Sequence, residues 1–439
     1  AILGAVEMFV NDDANISEAI RSRYVSKYKP FFMLRRDQAR ITRVVNKIKQ
    51  VTFKKEKIVE WFSNHPILKE LKSDSMSEKT FDNTIDNLMD SAGVLPTYRA
   101  MIKQEVMAVG KNPRVIINAG EEHQLSALLV ISCFEHFWFS DDMTDHIKHQ
   151  DKYDAMVSVA EHLQRVDSTD PDSTEGDGSS WDFLQGLEIR ELIENPILEH
   201  IANCLYCSQN SDRDVMEGAV RNSLDFRSKA WWTIRLSTID IKRGMKHKLM
   251  CRTMRPSGER GTSCLNHLVN TVMWAACLLE NPSELFAHPT RHSKMTKRYR
   301  PNSGLMTRTR VWGTDQPGKT SRVDTFPADV KERRKMRRKE KRRIGYRGVF
   351  EGDDSLMSTC KWIWDEFEED IKAFWDRAGF NMKIKRQSQE GNGCVTFTGY
   401  NFLCRGGVPT TVFCPEITRN LLNSSFTTSS YALNPQKVD

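Results

Sequence analysis

The chain has 439 residues, 39% of them apolar, and a mean hydropathy of −0.54, enough for one large multi-lobed domain or two to three smaller ones. The formal charge of +7, from 65 Lys+Arg against 58 Asp+Glu, is concentrated in a few segments, which favours a polyanionic partner such as nucleic acid. The ten cysteines are scattered, and the one close pair, Cys204 and Cys207 beside His200, lacks the second pair of a zinc site, so they read as buried thiols of a reduced cytosolic protein.

Residues 1–90 read as mostly helical and charged, with apolar positions at helical spacing in EKIVEWFSNHPILKELK. KNPRVI at 111–116 is basic and precedes an apolar run. That run, LSALLVISCF, and LVNTVMWAACLL at 268–279 fall short of the ~20 residues a membrane span needs and fit core helices. No membrane segment or signal peptide is expected, and a start at Ala1 suggests a processed product or a fragment. Residues 167–180, DSTDPDSTEGDGSS, are small, acidic and turn-like, and 187–235 look helical. KHKLMCRTMRPSGERGTSCLNHLVNTVMW reads as a strand, a glycine loop and a helix. Residues 283–343 are polar, end in DVKERRKMRRKEKRR, and form a candidate insertion. YRGVFEGDDSLMSTCKW predicts strand, tight turn, strand. DEFEEDIKAFWDRAGF predicts a helix that stops at Gly379, and CVTFTGYNFLC predicts a strand pair.

Two short acidic stretches carry candidate chemistry: Asp177 and Asp182 in EGDGSSWD, and Asp353 and Asp354 in EGDD. Carboxylates on neighbouring strands can hold two divalent ions about 3.5–4 Å apart, as phosphoryl transfer requires, and Gly352 permits the tight turn. The bland alternative is an ordinary Asp/Gly turn. In SGERGTSCLN, Thr262 and Asn266 lie four apart on one helical face, a hydroxyl and an amide suited to a ribose 2′-hydroxyl. The alternative there is a capped helix start.

In this order the three stretches resemble motifs A, B and C of positive-strand RNA virus RNA-dependent RNA polymerases. KNPRVIINAGEEHQLSALLV resembles motif F of tombusvirus-like and flavivirus-like enzymes, GFNMKIKRQ resembles motif D, and FTGYNFLC resembles motif E. The resemblance implies an α+β right hand. Its fingers and fingertips would lie in 1–165, its palm in 166–404 with a fingers insertion at about 190–250 and the basic insertion at about 283–343, and the start of a thumb in 405–439. It implies that Asp177 and Asp353 bind two Mg²⁺ (or Mn²⁺) ions with Asp354 assisting, and that Asp182 pairs with Asn266 and helps Thr262 recognise the ribose. Ser257 and Gly258 would sit in a loop that moves during translocation. Lys103, Lys111 and Arg114 would contact the triphosphate, and Lys383 or Lys385 would protonate the leaving pyrophosphate. The expected partners are template and product RNA, NTPs and other viral replication proteins, at replication complexes in the host cytoplasm.

Two features depart from that pattern. The stretch between Asn266 and Gly352 is long and carries the basic block, where Arg333, Arg334, Arg337 and Arg338 are candidates for RNA contact, beside the alternatives of a solvated helix face or a targeting signal. The stretch after Cys404 is short for a thumb. A reverse transcriptase shares the paired aspartates but usually has an aromatic where this chain has Glu351. A non-catalytic RNA-binding or capsid-type protein explains the basic segments but not the acidic ones.

Overall fold

Helices and strands alternate along most of this chain. The computed structural model describes residues 6–7, 9, 11–64, 98–105, 107–140, 146–148, 150–236, 248–279, 285, 346–390 and 393–416. Arg333, Arg334, Arg337 and Arg338, with nearly all of the basic insertion, lie outside the described residues. The strands are β1 (Val6–Glu7), β2 (Tyr98–Ile102), β3 (Met107–Ala108), β4 (Val115–Asn118), β5 (Pro171–Gly178), β6 (Trp231–Leu236), β7 (Lys248–Arg252), β8 (Tyr346–Glu351), β9 (Asp354–Cys360), β10 (Met382–Arg386), β11 (Cys394–Phe397), β12 (Tyr400–Arg405) and β13 (Val408–Pro415). The architecture is mixed helix and sheet with mainly antiparallel sheets, as an α+β class requires.

Four strands, in the order β10-β5-β9-β8, make an antiparallel central sheet. β8 and β9 form the expected hairpin. Most of their side chains are buried, with Val349, Phe350, Leu356 and Met357 at the heart of the hairpin. β5 corrects the turn-like reading of 167–180, since PDSTEGDG is an interior strand. Small residues fit there because the neighbours leave no room. A Cβ on Gly176 would come within 2.3 Å of the Ser355 hydroxyl and 3.2 Å of the Trp274 ring. The buried polar side chains of Asp172 and Ser173 are partnered: Asp172 accepts from Arg386 Nε at 2.9 Å and Ser388 Oγ at 2.7 Å, and Ser173 Oγ donates to the Gly407 carbonyl at 2.7 Å.

The helix Thr262–Leu278 packs against this sheet and is buried from Cys264 to Cys277. On one side it meets Arg35–Val51, whose buried Asp37, Ile41, Val44, Val45 and Ile48 trace a helical stripe. Asp37 pairs with Arg377 at 2.7 Å, at the end of the helix Lys361–Arg377. The helix Lys152–Gln164 covers the other face, with Met156, Val159 and Leu163 in one cluster with Val349, Leu356 and the β11–β12 aromatics. β11, β12 and β13 form a three-stranded sheet, so the chain runs past Cys404 without leaving that sheet.

A second four-stranded sheet, β4-β2-β6-β7, has one parallel pair, β2 with β6. β6 corrects the helical reading of 187–235 over its last residues. Helices occupy Asn195–Leu205 and Arg213–Arg227, but Trp231–Leu236 pairs with β7. No helix among the described residues is long and apolar enough to cross a membrane.

Gly407 ties the C-terminal sheet to β5. Its φ is +80°, and an added Cβ would lie 1.9 Å from the Pro171 carbonyl oxygen. Gly407→Ala is expected to destabilise the protein by about 2–3 kcal/mol in urea unfolding. Gly393→Ala, at φ +67° with open space around it, should cost about 1 kcal/mol. Equal losses in the two would show that the hairpin yields freely.

Candidate active site

The loop end of the central sheet gathers the acidic residues. The β5–β9 ladder ends at Gly176↔Ser355, so the next step places Asp177 across from Asp354. The β8–β9 turn is Gly352-Asp353, and Gly352 has a φ of +61°. Asp353 is pushed up to about 7, first by burial and then by the charge of Asp354, with Asp182 and Asp177 adding to it. The four carboxylates are therefore within electrostatic reach of one another.

One face of the helix Thr262–Leu278 holds this end of the sheet. Asn266 Nδ2 donates to Asp182 Oδ1 at 2.7 Å. Asn270 Nδ2, four residues on, donates to the carbonyls of Gly352 and Asp354 at 3.1 and 3.3 Å. Trp274 Nε1, four further, donates to Ser355 Oγ at 3.2 Å, which donates on to the Gly176 carbonyl at 3.0 Å. The i, i+4, i+8 spacing places all three on the face toward the acidic cluster. Asn270 and Trp274 were not singled out in the sequence, although their spacing from Asn266 was visible.

The structure joins Asp182 to Asn266 as expected but gives Thr262 another job. Its Oγ1 donates to the Glu259 carbonyl at 2.7 Å and to that of Pro256 at 3.1 Å, bracing its own loop. Ser257 and Gly258 are docked on β4: Ser257 Oγ accepts from Ile117 N–H at 3.2 Å, and Gly258 N–H donates to the Ile117 carbonyl at 3.0 Å. A Cβ on Gly258 would sit 2.8 Å from that carbonyl oxygen, so only glycine allows the approach.

Lys103 and Arg114 are brought together by the β2–β4 pairing, with Lys103 N–H donating to the Arg114 carbonyl at 2.7 Å. Their side chains meet at Glu105, at 3.0 and 3.3 Å. Arg114 also acts electrostatically on Asp182. Lys111 is exposed ahead of β4. Lys383 lies opposite Asp177 in the ladder, with Nζ 3.2 Å from its carboxylate. Lys385 points to the same side two residues on, opposite Glu175. Lys148, also missed, donates to Ser263 Oγ at 2.9 Å and pairs with Glu351 beside the turn.

Beneath the site lies a buried ion network. Arg190 reaches Glu259 at 2.6 Å, Arg227 reaches Glu259 at 2.8 Å and Glu194 at 3.2 Å, and Arg255 pairs with Glu194, all with side chains 0% exposed. Burial pushes Glu259 up, but the charges of Arg190, Arg227 and Arg255 overcome it and hold the carboxyl down at about 2. Arg255 Nη2 donates to Gln185 Oε1 at 2.7 Å, and Gln185 Nε2 donates to Asn266 Oδ1 at 2.7 Å, so the network reaches the Asp182 pair.

Among the described residues no three His, Cys, Asp or Glu side chains converge tightly enough to enclose one ion. Cys204 is buried, Cys207 exposed, and His200 bonds the Phe53 carbonyl at 2.8 Å. The acidic end of the sheet is nonetheless chemically suited to divalent cations: its donors are hard carboxylate oxygens, and their mutual repulsion is what a bound cation relieves. No protein-family model matches the chain, and no curated protein matches its sequence.

Two predictions follow from these charges. Because Asp353 is raised in the folded state, its contribution to stability is fully present below about pH 4 and is lost as the pH rises through about 7. The difference in urea-unfolding free energy between pH 5 and pH 8 should therefore shrink in Asp353→Asn; an unchanged slope would assign it to other groups. Glu259→Gln leaves three buried guanidiniums against one carboxylate and should cost about 3–5 kcal/mol. A loss below about 1 kcal/mol would mean that water reaches the network.

Proposed function

We propose that the chain is the catalytic part of a positive-strand RNA virus RNA-dependent RNA polymerase, adding ribonucleoside monophosphates to an RNA 3′ end. The observation that carries this reading is the convergence of Asp177, Asp182 and the Asp353–Asp354 turn, from distant parts of the sequence, at one end of one sheet. In this reading the central sheet and the helices on its faces are the palm of a right hand. The N-terminal region and residues from about 190 to 250 form the fingers, and the segment after Cys404 begins the thumb.

Asp177, Asp353 and Asp354 would hold two Mg²⁺ or Mn²⁺ ions, which when bound activate the attacking 3′-hydroxyl and stabilise the leaving pyrophosphate. The side chains do the rest. Asp182, held by Asn266, offers a carboxylate oxygen to the ribose 2′-hydroxyl. Lys103 and Arg114, which share Glu105 in this structure, exchange that carboxylate for the triphosphate, with Lys111 beside them. Lys383 is the better placed of the two candidate acids, because it already lies against Asp177. Neutralising Asp177 frees its ammonium to donate a proton to pyrophosphate. Template and product RNA would meet the basic segments, and other viral replication proteins would complete the assembly in the host cytoplasm.

Primer extension on an RNA template, with NTPs and Mg²⁺ or Mn²⁺, tests the reading. Asp353→Ala should reduce extension by roughly 10³-fold or more while RNA binding in a filter assay changes little. Extension that persists in the variant would overturn the metal assignment, and a preference for dNTPs would redirect the reading to a reverse transcriptase. RNA binding without extension by either protein would favour a non-catalytic RNA-binding role.

A further inference from the structure

The hydrogen bonds around Asn266 have a direction imposed from outside the site. A guanidinium only donates, whereas an amide side chain presents one donor and one acceptor end. Arg255 reaches Gln185 Oε1 through both Nε, at 3.0 Å, and Nη2, at 2.7 Å. Gln185 must therefore turn its oxygen to Arg255 and its NH₂ to Asn266. Asn266 then turns its oxygen to Gln185, at 2.7 Å, and its NH₂ to Asp182, at 2.7 Å. Arg255 is itself fixed, by its pairing with Glu194 and by its backbone N–H, which donates to the Asp182 carbonyl at 2.9 Å. Gln185 is fully buried and Asn266 nearly so, so water does not supply an alternative partner.

We infer that Gln185 is a positioning residue for sugar selection: it transmits the donor-only character of Arg255 to Asn266, so that Asp182 always faces a donor and keeps its carboxylate ready to accept from a ribose 2′-hydroxyl. The inference rests on the polymerase reading and adds to it a residue that never touches the nucleotide. It makes position 185 a determinant of ribonucleotide over deoxyribonucleotide use.

Two substitutions of nearly the same volume separate this role from packing. Gln185→Met removes both hydrogen bonds and leaves Asn266 free to turn either way. Gln185→Glu keeps an acceptor for Arg255 but presents a second acceptor to Asn266. The Asn266 amide then has to invert and aim its oxygen at Asp182. A packing role, or the charge that Glu adds to a network already balanced by Asp182, lowers NTP and dNTP use together. The relay lowers NTP use selectively, and more in the Glu variant, which forces the inversion, than in the Met variant.

The experiment is single-nucleotide primer extension with each NTP and its 2′-deoxy analogue, for the unaltered protein, Gln185→Met and Gln185→Glu, with urea unfolding of each as the check on folding. The expected result is a fall in the NTP-to-dNTP ratio of kcat/KM by roughly tenfold in Gln185→Met and by more in Gln185→Glu, with dNTP incorporation little changed. NTP and dNTP incorporation falling together, or an unchanged ratio in whichever variant folds, would overturn the relay while leaving the polymerase reading intact. No incorporation by the unaltered protein would overturn the polymerase reading itself, and the relay with it.

Discussion

Three arginines and two glutamates are buried together beneath the acidic end of the central sheet, and much of the molecule is arranged to make that tolerable. Arg190, Arg227 and Arg255 carry one more charge than Glu194 and Glu259 return, and all five side chains are fully buried. Moving such ions out of water costs several kcal/mol each unless the charges are matched. A further carboxylate, Asp182, senses Arg255 through space and is tied to its backbone. Burial, with a smaller push from the charge of Glu259, raises Asp182 above the usual carboxylate range, against the hydrogen bond from Asn266 and the attraction of Arg255 and Arg114. With Asp182 ionised, the charges of the group balance. The network thus holds segments around residues 185–194, 227 and 255–266 in one arrangement, and within it Arg255 partly offsets the cost of burying the Asp182 charge.

The opposite electrostatic problem lies a few residues away. Asp353 is crowded by burial and by three other carboxylates, so its charged form is disfavoured in the protein alone. Hydrogen bonding fixes the backbone of the turn, through Asn270 to the carbonyls of Gly352 and Asp354, while Lys383 and Asn266 partner Asp177 and Asp182 beside it. Fixed carbonyls beside crowded carboxylates are what the proposed metal-binding role would draw on.

What could be read directly from the sequence was whatever a local pattern expresses. The β8–β9 hairpin, the strand–loop–helix through Thr262–Leu278, the helix ending before Gly379 and the β11–β12 pair all carry periodicity and turn residues of their own. β5 does not: its PDSTEGDG looks like a loop because its suitability as an interior strand comes from Trp274, Ser355 and Gly407, all remote in sequence. β6 follows a helix without a break in composition, and its strand state is set by pairing with β2 and β7. At the site, Asp177, Asp182, Asn266 and the Asp353–Asp354 turn were visible as residue types at fixed spacing. Gln185, Arg190, Glu194 and Arg227 were not, because a buried Arg or Glu on a helix looks the same in sequence as one on a solvated face. Thr262 illustrates the reverse: its spacing from Asn266 was read correctly as a shared helical face, but the Pro256 and Glu259 carbonyls take its hydroxyl.

Glu259 also constrains how the loop before the long helix can move. Ser257 and Gly258 are docked on β4 by hydrogen bonds of ordinary length, each worth about 1 kcal/mol net. Glu259, the next residue, has its carboxylate held by two arginines from the helical segments and cannot follow without leaving their charges unpaired. The two kinds of contact meet between Gly258 and Glu259, the first held by β4 and the second by the arginines. Arg255 and Glu259, which flank Ser257 and Gly258, belong to the ion network. Asp182 and Asn266 are bonded to that same network through Gln185 and Arg255, so their geometry does not depend on how Ser257 and Gly258 contact β4.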